Sequence, residues 1–336
     1  QLGIDIPHFC YHPDLAIAGV CRMCLVEVEK MPKLATSCST VAGDGMVVRT
    51  PHTSDKVAKA VRDVLELHFI NHPIDCPICD QAGECKLQDY YYKWGRYKSR
   101  FREQKVTNYK HEVIGPMVML DADRCILCSR CVRFCREVPK TEELCIRNRG
   151  DHAEIALGAG QTLDNPYSAN VVDICPVGAH TLRDFRFQCR AWYLKTTPSV
   201  CPGCARGCSI TVEHRKGRVY RLKPRRNPAV NGDWMCDAGR LTYKRLYEGE
   251  RLTKPMVRKE GKLTETTWDE AIAEAAKLLT GAGSAAAGFA SPHASNEESF
   301  LLAKLMGSVK SEKLAVGVSW EAKGEEDDIL RRADLS

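Results

Sequence analysis

The sequence has no apolar run approaching the roughly 18 residues that a membrane-crossing helix needs, which excludes a helical span within it. It also lacks a charged start followed by an apolar stretch, so no secretory signal is read at its beginning. After Cys236 there is no further cysteine, so the last hundred or so residues must form a different kind of module from what precedes them. These absences lead to the expectation of a soluble chain on the reducing, cytoplasmic side. Because it begins at Gln1 inside what reads as a folded unit and stops at Ser336, a portion of a longer polypeptide is expected.

What is abundant is cysteine. Eighteen thiols in 336 residues are too many for ordinary usage, and the chain is too long for a small disulfide-stapled domain, so metal binding explains them better. The most informative stretch is Cys125-Ile-Leu-Cys128-Ser-Arg-Cys131 with a remote Cys175-Pro176, which is half of the bacterial ferredoxin pattern and supplies four corners for one iron–sulfur cube. The second half is missing. Cys135 stands where the ligand of another cluster would be, but Arg136 follows it in place of proline, which predicts one cluster here and not two. Zinc is the competing reading, although zinc sites usually pair two Cys-x-x-Cys knuckles.

Three further sets have similar logic. Cys10, Cys21, Cys24 and Cys38, separated by ten, two and thirteen residues, stretch the plant-type ferredoxin pattern and point to a two-iron cluster, with a four-thiolate zinc site as the alternative. Cys76, Cys79 and Cys85 leave one corner open. His72, four residues upstream of Cys76, is favoured over His68 to fill it, and a neutral imidazole there removes a negative charge and raises the potential. Cys201-Pro-Gly-Cys204-Ala-Arg-Gly-Cys208 with Cys236 supplies four corners again. Cys135, Cys145 and Cys189 have no partners in spacing and are expected as buried free thiols.

The net charge of +6 invites a nucleic-acid reading, but anionic clusters call for cations, and Arg22, Lys86, Arg124, Arg130, Arg133 and Arg206 all lie beside the thiol sets. Residues 86–110 interleave Tyr90, Tyr91, Tyr92, Trp94, Tyr97 and Phe101 with lysines and arginines, a composition suited to single-stranded nucleic acid; the competing reading is a segment that covers clusters and docks a partner subunit.

For local structure, the pattern predicts an alternating strand over 25–29 and a helix over 55–70 with Val57, Val61, Val64 and Leu65 on one stripe. Turn-formers between Cys131 and Cys175 predict a loop-and-short-strand excursion, and Lys216-Gly217 predicts a hairpin between strands at 210–212 and 219–222. Beyond Arg251 an α/β rhythm is expected: a capping box at Thr267–Glu270 opening a helix from Trp268 to about Leu279, a short buried strand over 287–290, and a second helix capped by Ser295 and running through Met306. Gly281-Ala-Gly283 resembles a dinucleotide fingerprint by letter, but it follows a helix and precedes a strand, the reverse of the required context.

In this order and spacing the four sets resemble the large iron–sulfur subunit of the peripheral arm of bacterial respiratory complex I, its G subunit, over essentially the whole chain. The resemblance implies an α+β multidomain fold: a truncated plant-type ferredoxin-like β-grasp domain (1–50), a helical cluster domain with one histidine and three cysteine ligands (51–113), a bacterial-ferredoxin-like cluster domain (114–195), a cluster domain of molybdopterin-oxidoreductase type (196–252), and the beginning of a molybdopterin-oxidoreductase-like α/β domain (253–336). It implies one [2Fe-2S] cluster on Cys10, Cys21, Cys24 and Cys38, and [4Fe-4S] clusters on His72, Cys76, Cys79 and Cys85; on Cys125, Cys128, Cys131 and Cys175; and on Cys201, Cys204, Cys208 and Cys236. The last resembles the additional cluster that only some bacterial members keep, off the main electron path.

By the same resemblance, Ala294 stands where formate dehydrogenases of the fold place a molybdenum ligand, and a methyl group offers no ligand atom. No flavin, NAD or molybdopterin is expected on this chain. The implied role is electron transfer from a flavin-bearing, NADH-oxidising subunit, through the Cys125 cube and then the His72 cube, to a two-cluster ferredoxin-like subunit and on toward quinone. The implied place is the cytoplasmic face of the inner membrane, with membrane contact only through partner subunits. The alternative is the large subunit of a formate dehydrogenase or hydrogenase-type complex with a similar front end.

Overall fold

The computed structural model describes residues 3–249, 252–291 and 294–317. Pro292 and His293, from the stretch leading to Ala294, and residues 318–336 of the expected last domain lie outside the described residues. The described chain divides into two units, one formed by residues up to Cys201 together with Arg206–Tyr243, the other by Pro202–Ala205 and the residues from Lys244 onward.

The first unit opens with a three-stranded antiparallel sheet, order β2-β1-β3, made by β1 (Leu25–Val28), β2 (Ala35–Thr36) and β3 (Val48–Arg49). The alternation read at 25–29 places Val26 and Val28 inward, and the strand stops at Val28, before Glu29. Helix α1 (Asp55–His68) starts at Ser54, whose hydroxyl accepts from the Val57 N–H, and it buries Val57, Val61 and Leu65, one residue per turn. The helix ends two residues short of the expected 70. Past its end, the Phe69 and Ile70 N–H groups donate to the carbonyls of Glu66 and Leu67, and the Lys105 ammonium donates to the carbonyls of Phe69, Ile70 and His72 at 2.7, 2.9 and 3.1 Å, which holds the segment leading to the second thiol set.

Helix α2 (Lys86–Trp94) packs on α1 and buries Leu87 and Tyr90. Next come β4 (Glu112–Val113) and β5 (Val118–Leu120), which form a second antiparallel sheet with the later β8 (His180–Leu182) in the order β4-β5-β8. Between β5 and β8 lie α3 (Arg130–Glu137), the hairpin of β6 (Leu144–Arg147) and β7 (Glu154–Leu157), and α4 (Asn170–Ile174). This is the expected excursion between Cys131 and Cys175, with two helices added to the short strands.

A single apolar core runs through all of this. Phe9 and Met23 from the first sheet region, Val61 and Leu65 of α1, Leu87 of α2, Leu120 of β5 and Phe134 of α3 belong to one continuous cluster of buried side chains. Chain segments expected as three separate cluster domains therefore share one interior. The unit closes with a third sheet, β11-β10-β9, from β9 (Lys195–Val200), β10 (Ser209–Arg215) and β11 (Arg218–Pro224), followed by the short α5 (Asp237–Arg240). The β10–β11 hairpin turns at Lys216 (φ 48) and Gly217 (φ 77), consecutive positive φ angles that suit the primed two-residue turns.

In the second unit β12 (Met256–Lys259) and β13 (Lys262–Glu265) form a hairpin. Helix α6 (Trp268–Ala282) has Thr267 accepting from the Glu270 N–H, but the Glu270 carboxylate takes the Thr266 hydroxyl, so the expected reciprocal capping box is only half made. The full box is found at Ser295 and Glu298, where it opens α7 (Asn296–Ser308). Around α7, β14 (Gly288–Ala290) and β15 (Leu314–Val316) pair in parallel, a β-α-β crossover. Gly288 lets Met306 approach, since a Cβ there would stand 2.9 Å from its Cγ. The strand expected to be buried over 287–290 starts at Gly288, and its Phe289 side chain is 74% exposed. No described helix is long and apolar enough to cross a membrane.

Candidate iron–sulfur sites

All eighteen cysteines are free thiols, and among the described residues no three His, Cys, Asp or Glu side chains gather about a point that could hold one metal ion. The thiols nonetheless assemble by set. Cys10 and Cys21 are close enough to couple, which draws the Cys10 thiol down and pushes the Cys21 thiol up. Cys38 is pushed up to about 11, first by burial and then by its hydrogen bond with Cys24, and Cys10 is near enough to add charge repulsion. The Phe9 N–H donates to the Cys21 sulfur at 3.4 Å.

At the third set, the backbone places the sulfurs. Leu127 (φ 52) and Ser129 (φ 58) both adopt the left-handed region, which turns the chain between successive thiols before α3 begins. Cys125, Cys128, Cys131 and Cys175 line one cavity of about 290 Å³, together with Ile155, Val177, Ala179 and His180. Burial raises all four thiols, Cys128 to about 11, and each of Cys125, Cys128 and Cys131 is raised further by neighbouring sulfurs of the set. Four thiolates that repel one another in a dry cavity require cationic metal to ionise, which fits an iron–sulfur ligand set. One N–H already faces a sulfur of the set: Leu127 donates to Cys125 at 3.3 Å.

Of the six cations beside thiols, three are buried and structural. Arg130 donates to the Ile174 carbonyl at 2.9 Å and to that of Tyr11; Arg133 donates to Cys10 O at 2.5 Å, to Ala16 O and to Cys128 O at 3.4 Å. Two guanidinium groups on α3 thus clamp the loop of the first set against the loop of the third, leaving positive charge beside both. Arg124, 4% exposed at its side chain, pairs with Asp75 at 2.7 Å and with Asp121 at 3.1 Å. Arg22, Lys86 and Arg206 are exposed.

In the second set the two histidines differ in their surroundings. His68 donates from Nε2 to the Cys21 carbonyl at 3.1 Å and lies edge-on to Phe9, so it is occupied elsewhere. His72 lines a pocket of about 980 Å³ with Cys76 and Cys85, and its Nδ1 is shut from solvent with no hydrogen-bond partner. Burial pulls the imidazole down to about 4 and keeps it neutral, the form that ligates metal. Cys79 reaches the set past Gly178, where a Cβ would stand 2.5 Å from its sulfur. Arg190 holds this loop by donating to the Cys79 carbonyl at 2.6 Å and to that of Pro77 at 2.5 Å.

The second and third sets touch. The Cys85 thiol donates to the Pro176 carbonyl at 3.8 Å, and the Lys86 N–H to the same carbonyl at 3.1 Å, one residue from Cys175. In the fourth set, Cys201, Cys208 and Cys236 lie together: the Cys201 N–H donates to Cys208 O at 2.8 Å, and Gly239 leaves room for the sulfurs of Cys201 and Cys236. Cys204 falls in the second unit and is exposed. Helix α5 is tied to α4 through Arg240, which donates to Asp173 at 2.5 Å, and through Asp237, which accepts from the Ser168 hydroxyl and the Ala169 N–H.

Cys135 and Cys189 are buried as expected, whereas Cys145 is only half-buried, because its strand β6 lies at the surface. The basic-aromatic segment 86–110 spends its cations internally: Lys93 on Asp5, Arg96 on Asp63, Arg100 on Asp63 and Glu66, and Lys105 on the end of α1. That favours a covering strap over a nucleic-acid groove. Sequence spacing did not single out Arg190, Gly178 or His180, whose importance comes from what they touch across the fold.

Family models match the chain in series: a 2Fe-2S iron–sulfur cluster binding domain (1–53), an NADH-ubiquinone oxidoreductase-G iron–sulfur binding region (62–100), the ferredoxin-like domain of NADH-quinone oxidoreductase subunit 3 (115–181), a molybdopterin oxidoreductase Fe4S4 domain (194–248) and a molybdopterin oxidoreductase domain (251–322). Curated relatives named as the G subunit of NADH-quinone oxidoreductase include those of Rickettsia conorii, 44% identical over 81% of this chain and 40% of the relative, Rickettsia felis, 42% identical over 94% and 47%, and Streptomyces coelicolor, 44% identical over 83% and 33%. The chain spans less than half the length of these relatives. A solved NAD+-reducing [NiFe]-hydrogenase in the H2-reduced state is 31% identical, covering 55% of this chain and 78% of that one, with a TM-score of 0.49. With an α+β multidomain architecture that carries 2Fe-2S and 4Fe-4S binding domains, the chain belongs to the family of NADH-quinone oxidoreductase G subunits.

Proposed function

We propose that this chain is an electron-transfer subunit of an NADH:quinone oxidoreductase and transforms no metabolite itself. One observation carries the reading: three thiol sets sit in one continuous core and are joined in series, the first to the third through Arg130 and Arg133, the third to the second through Pro176. Groups bound there supply one-electron oxidation and reduction without bond changes in a substrate. We assign a [2Fe-2S] cluster to Cys10, Cys21, Cys24 and Cys38, and [4Fe-4S] clusters to His72, Cys76, Cys79 and Cys85, to Cys125, Cys128, Cys131 and Cys175, and to Cys201, Cys204, Cys208 and Cys236. The module boundaries expected from sequence, near 50, 113, 195 and 252, go with this assignment.

The chain's own residues place the ligands, exclude water and set local charge. Buried N–H donors and the Arg130 and Arg133 guanidinium groups stabilise negative charge on the sulfurs, which favours reduction. His72 contributes a neutral ligand in place of an anionic one and raises the potential of its site relative to four thiolates. In the assembled enzyme the donor is a flavin-bearing, NADH-oxidising subunit and the acceptor a two-cluster ferredoxin-like subunit on the way to quinone, in a peripheral arm on the cytoplasmic side of the membrane.

The match to a molybdopterin oxidoreductase domain over 251–322 favours a second reading, a catalytic subunit of formate dehydrogenase type. Ala294, whose N–H donates to the Ser291 carbonyl at 3.0 Å, presents only a methyl group where that reading needs a ligand. Metal and labile-sulfide analysis of the purified chain separates the two. About 14 irons per chain without molybdenum is expected from one two-iron and three four-iron sites; stoichiometric molybdenum would establish the catalytic reading instead.

A further inference from the structure

His180 opens β8, five residues after Cys175, and no spacing rule marks it as special. Its side chain is 2% exposed, and neither Nδ1 nor Nε2 has a hydrogen-bond partner. A buried imidazole with both nitrogens unanswered is a costly arrangement, and such groups call for an explanation, commonly an ion or group that the site holds when complete. The residue lines the cavity enclosed by Cys125, Cys128, Cys131 and Cys175.

The other residues around that cavity offer no side-chain acceptor for it. Ile126, Ile155, Val177 and Ala179 are apolar, Ser129 takes the Arg133 guanidinium, and Arg130 is itself a donor. Among the side chains that line the cavity, the sulfurs are the acceptors not already taken by Arg133. An imidazole carries at least one N–H in either of its ordinary protonation states, so the donor does not depend on pH. His180 and Cys175 line the same cavity, five residues apart in the chain.

We propose that His180 donates a ring N–H hydrogen bond to a sulfur of the cluster held by Cys125, Cys128, Cys131 and Cys175, and thereby raises that cluster's reduction potential above what four thiolates alone would set. This rests on the cluster assignment under Proposed function. The residue is a positioning and tuning group, not a ligand, since four thiols already fill the corners. Its action is electrostatic: a hydrogen bond to sulfur spreads the negative charge gained on reduction.

The test uses the cluster-loaded chain, with iron counted before any spectroscopy. Loss of iron–sulfur content in the unmodified chain defeats the cluster assignment itself. With iron present, pulsed electron paramagnetic resonance of the chain labelled with 15N-histidine should show a weak imidazole coupling and an exchangeable proton on the Cys125 cluster, distinct from the strong ligand coupling at the His72 site. No coupling there, or one as strong as that of a ligand, overturns the proposal, and this measurement needs no variant to fold. His180→Leu should retain iron, lose the weak coupling and shift the cluster to lower potential, and His180→Gln should recover part of the shift through its amide N–H. An unshifted potential in an iron-replete His180→Leu overturns the proposal while leaving the cluster assignment intact.

Discussion

The sites around Cys125 and His72 meet at Pro176, yet they handle charge differently. The Cys125 site has four thiols in an enclosed cavity with Arg130 beside it and Arg133 behind. At the His72 site a neutral imidazole stands in the pocket with the thiols, and the pocket is bordered by side chains that reach solvent, with Ile74, Tyr92 and Trp192 at 66, 79 and 57% exposure. Both sites have cations close by, Arg130 and Arg133 at one and Arg124 and Arg190 at the other; what differs is the imidazole and the nearness of solvent. The lesson is that ligand identity and burial, beside nearby cations, enter the charge balance of a redox site.

The comparison breaks hardest if a thiol is removed from the enclosed site. Cys131→Ala should cost about four irons per chain, the content of one cube, and iron quantitation against the unmodified protein checks it. Retention of full iron would mean that Cys131 is not a corner. Next in size is the cation between the two sites. Arg124→Leu leaves Asp121, fully buried, without its partner, and by the usual cost of orphaning a buried charge should destabilise by about 3–5 kcal/mol in chemical denaturation.

Changing His72→Cys sharpens the contrast, because it makes the two sites alike in ligand charge. A cluster should remain, with its potential lowered, as read by redox titration with paramagnetic resonance; an unshifted set of signals would count against His72 as a ligand. The smallest effect is expected at the strap. Glu66 and Asp63 are held below the ordinary carboxylate range by hydrogen bonds to Arg100 and Arg96. Their stabilisation is therefore present above that range and is lost as pH falls through it and below. Arg100→Ala, at an exposed pair, should cost only a little stability at neutral pH, and the difference from the unmodified protein should vanish in acid unfolding curves.

Cys135 tests how far spacing can be trusted. It sits where a second cluster's ligand would fall, but it is buried and pushed up to about 12, first by burial and then by the nearby Glu143 carboxylate. Cys135→Ser should leave iron unchanged. Loss of a further four irons or so would mean that this region holds two clusters.

Much of the ligand inventory was legible because short spacings encode local geometry. Two residues between thiols suffice for a turn that points both sulfurs one way, and Leu127 and Ser129 make that turn with positive φ. The candidate histidine was named from a vacancy, since three thiols leave one corner open. Helix α1 was legible from its stripe, although Lys105, which ties down the segment after it from 36 residues away, was not. The half-made capping box at Thr267 went astray for a related reason: the neighbouring Thr266 hydroxyl competes for Glu270.

By itself the sequence determined which side chains are available to hold metal and in what local order, because those relations span a few residues and follow from covalent geometry. Only the tertiary structure decided how the sites connect. Cys85 meets Pro176 across 91 positions, and Arg133 reaches Cys10 across 123. Such contacts arise when one apolar core draws distant loops together, and no local pattern records which carbonyl a buried guanidinium will face. His180 belongs to the same class: its letter is ordinary, and its meaning comes from the sulfurs that the fold places around it.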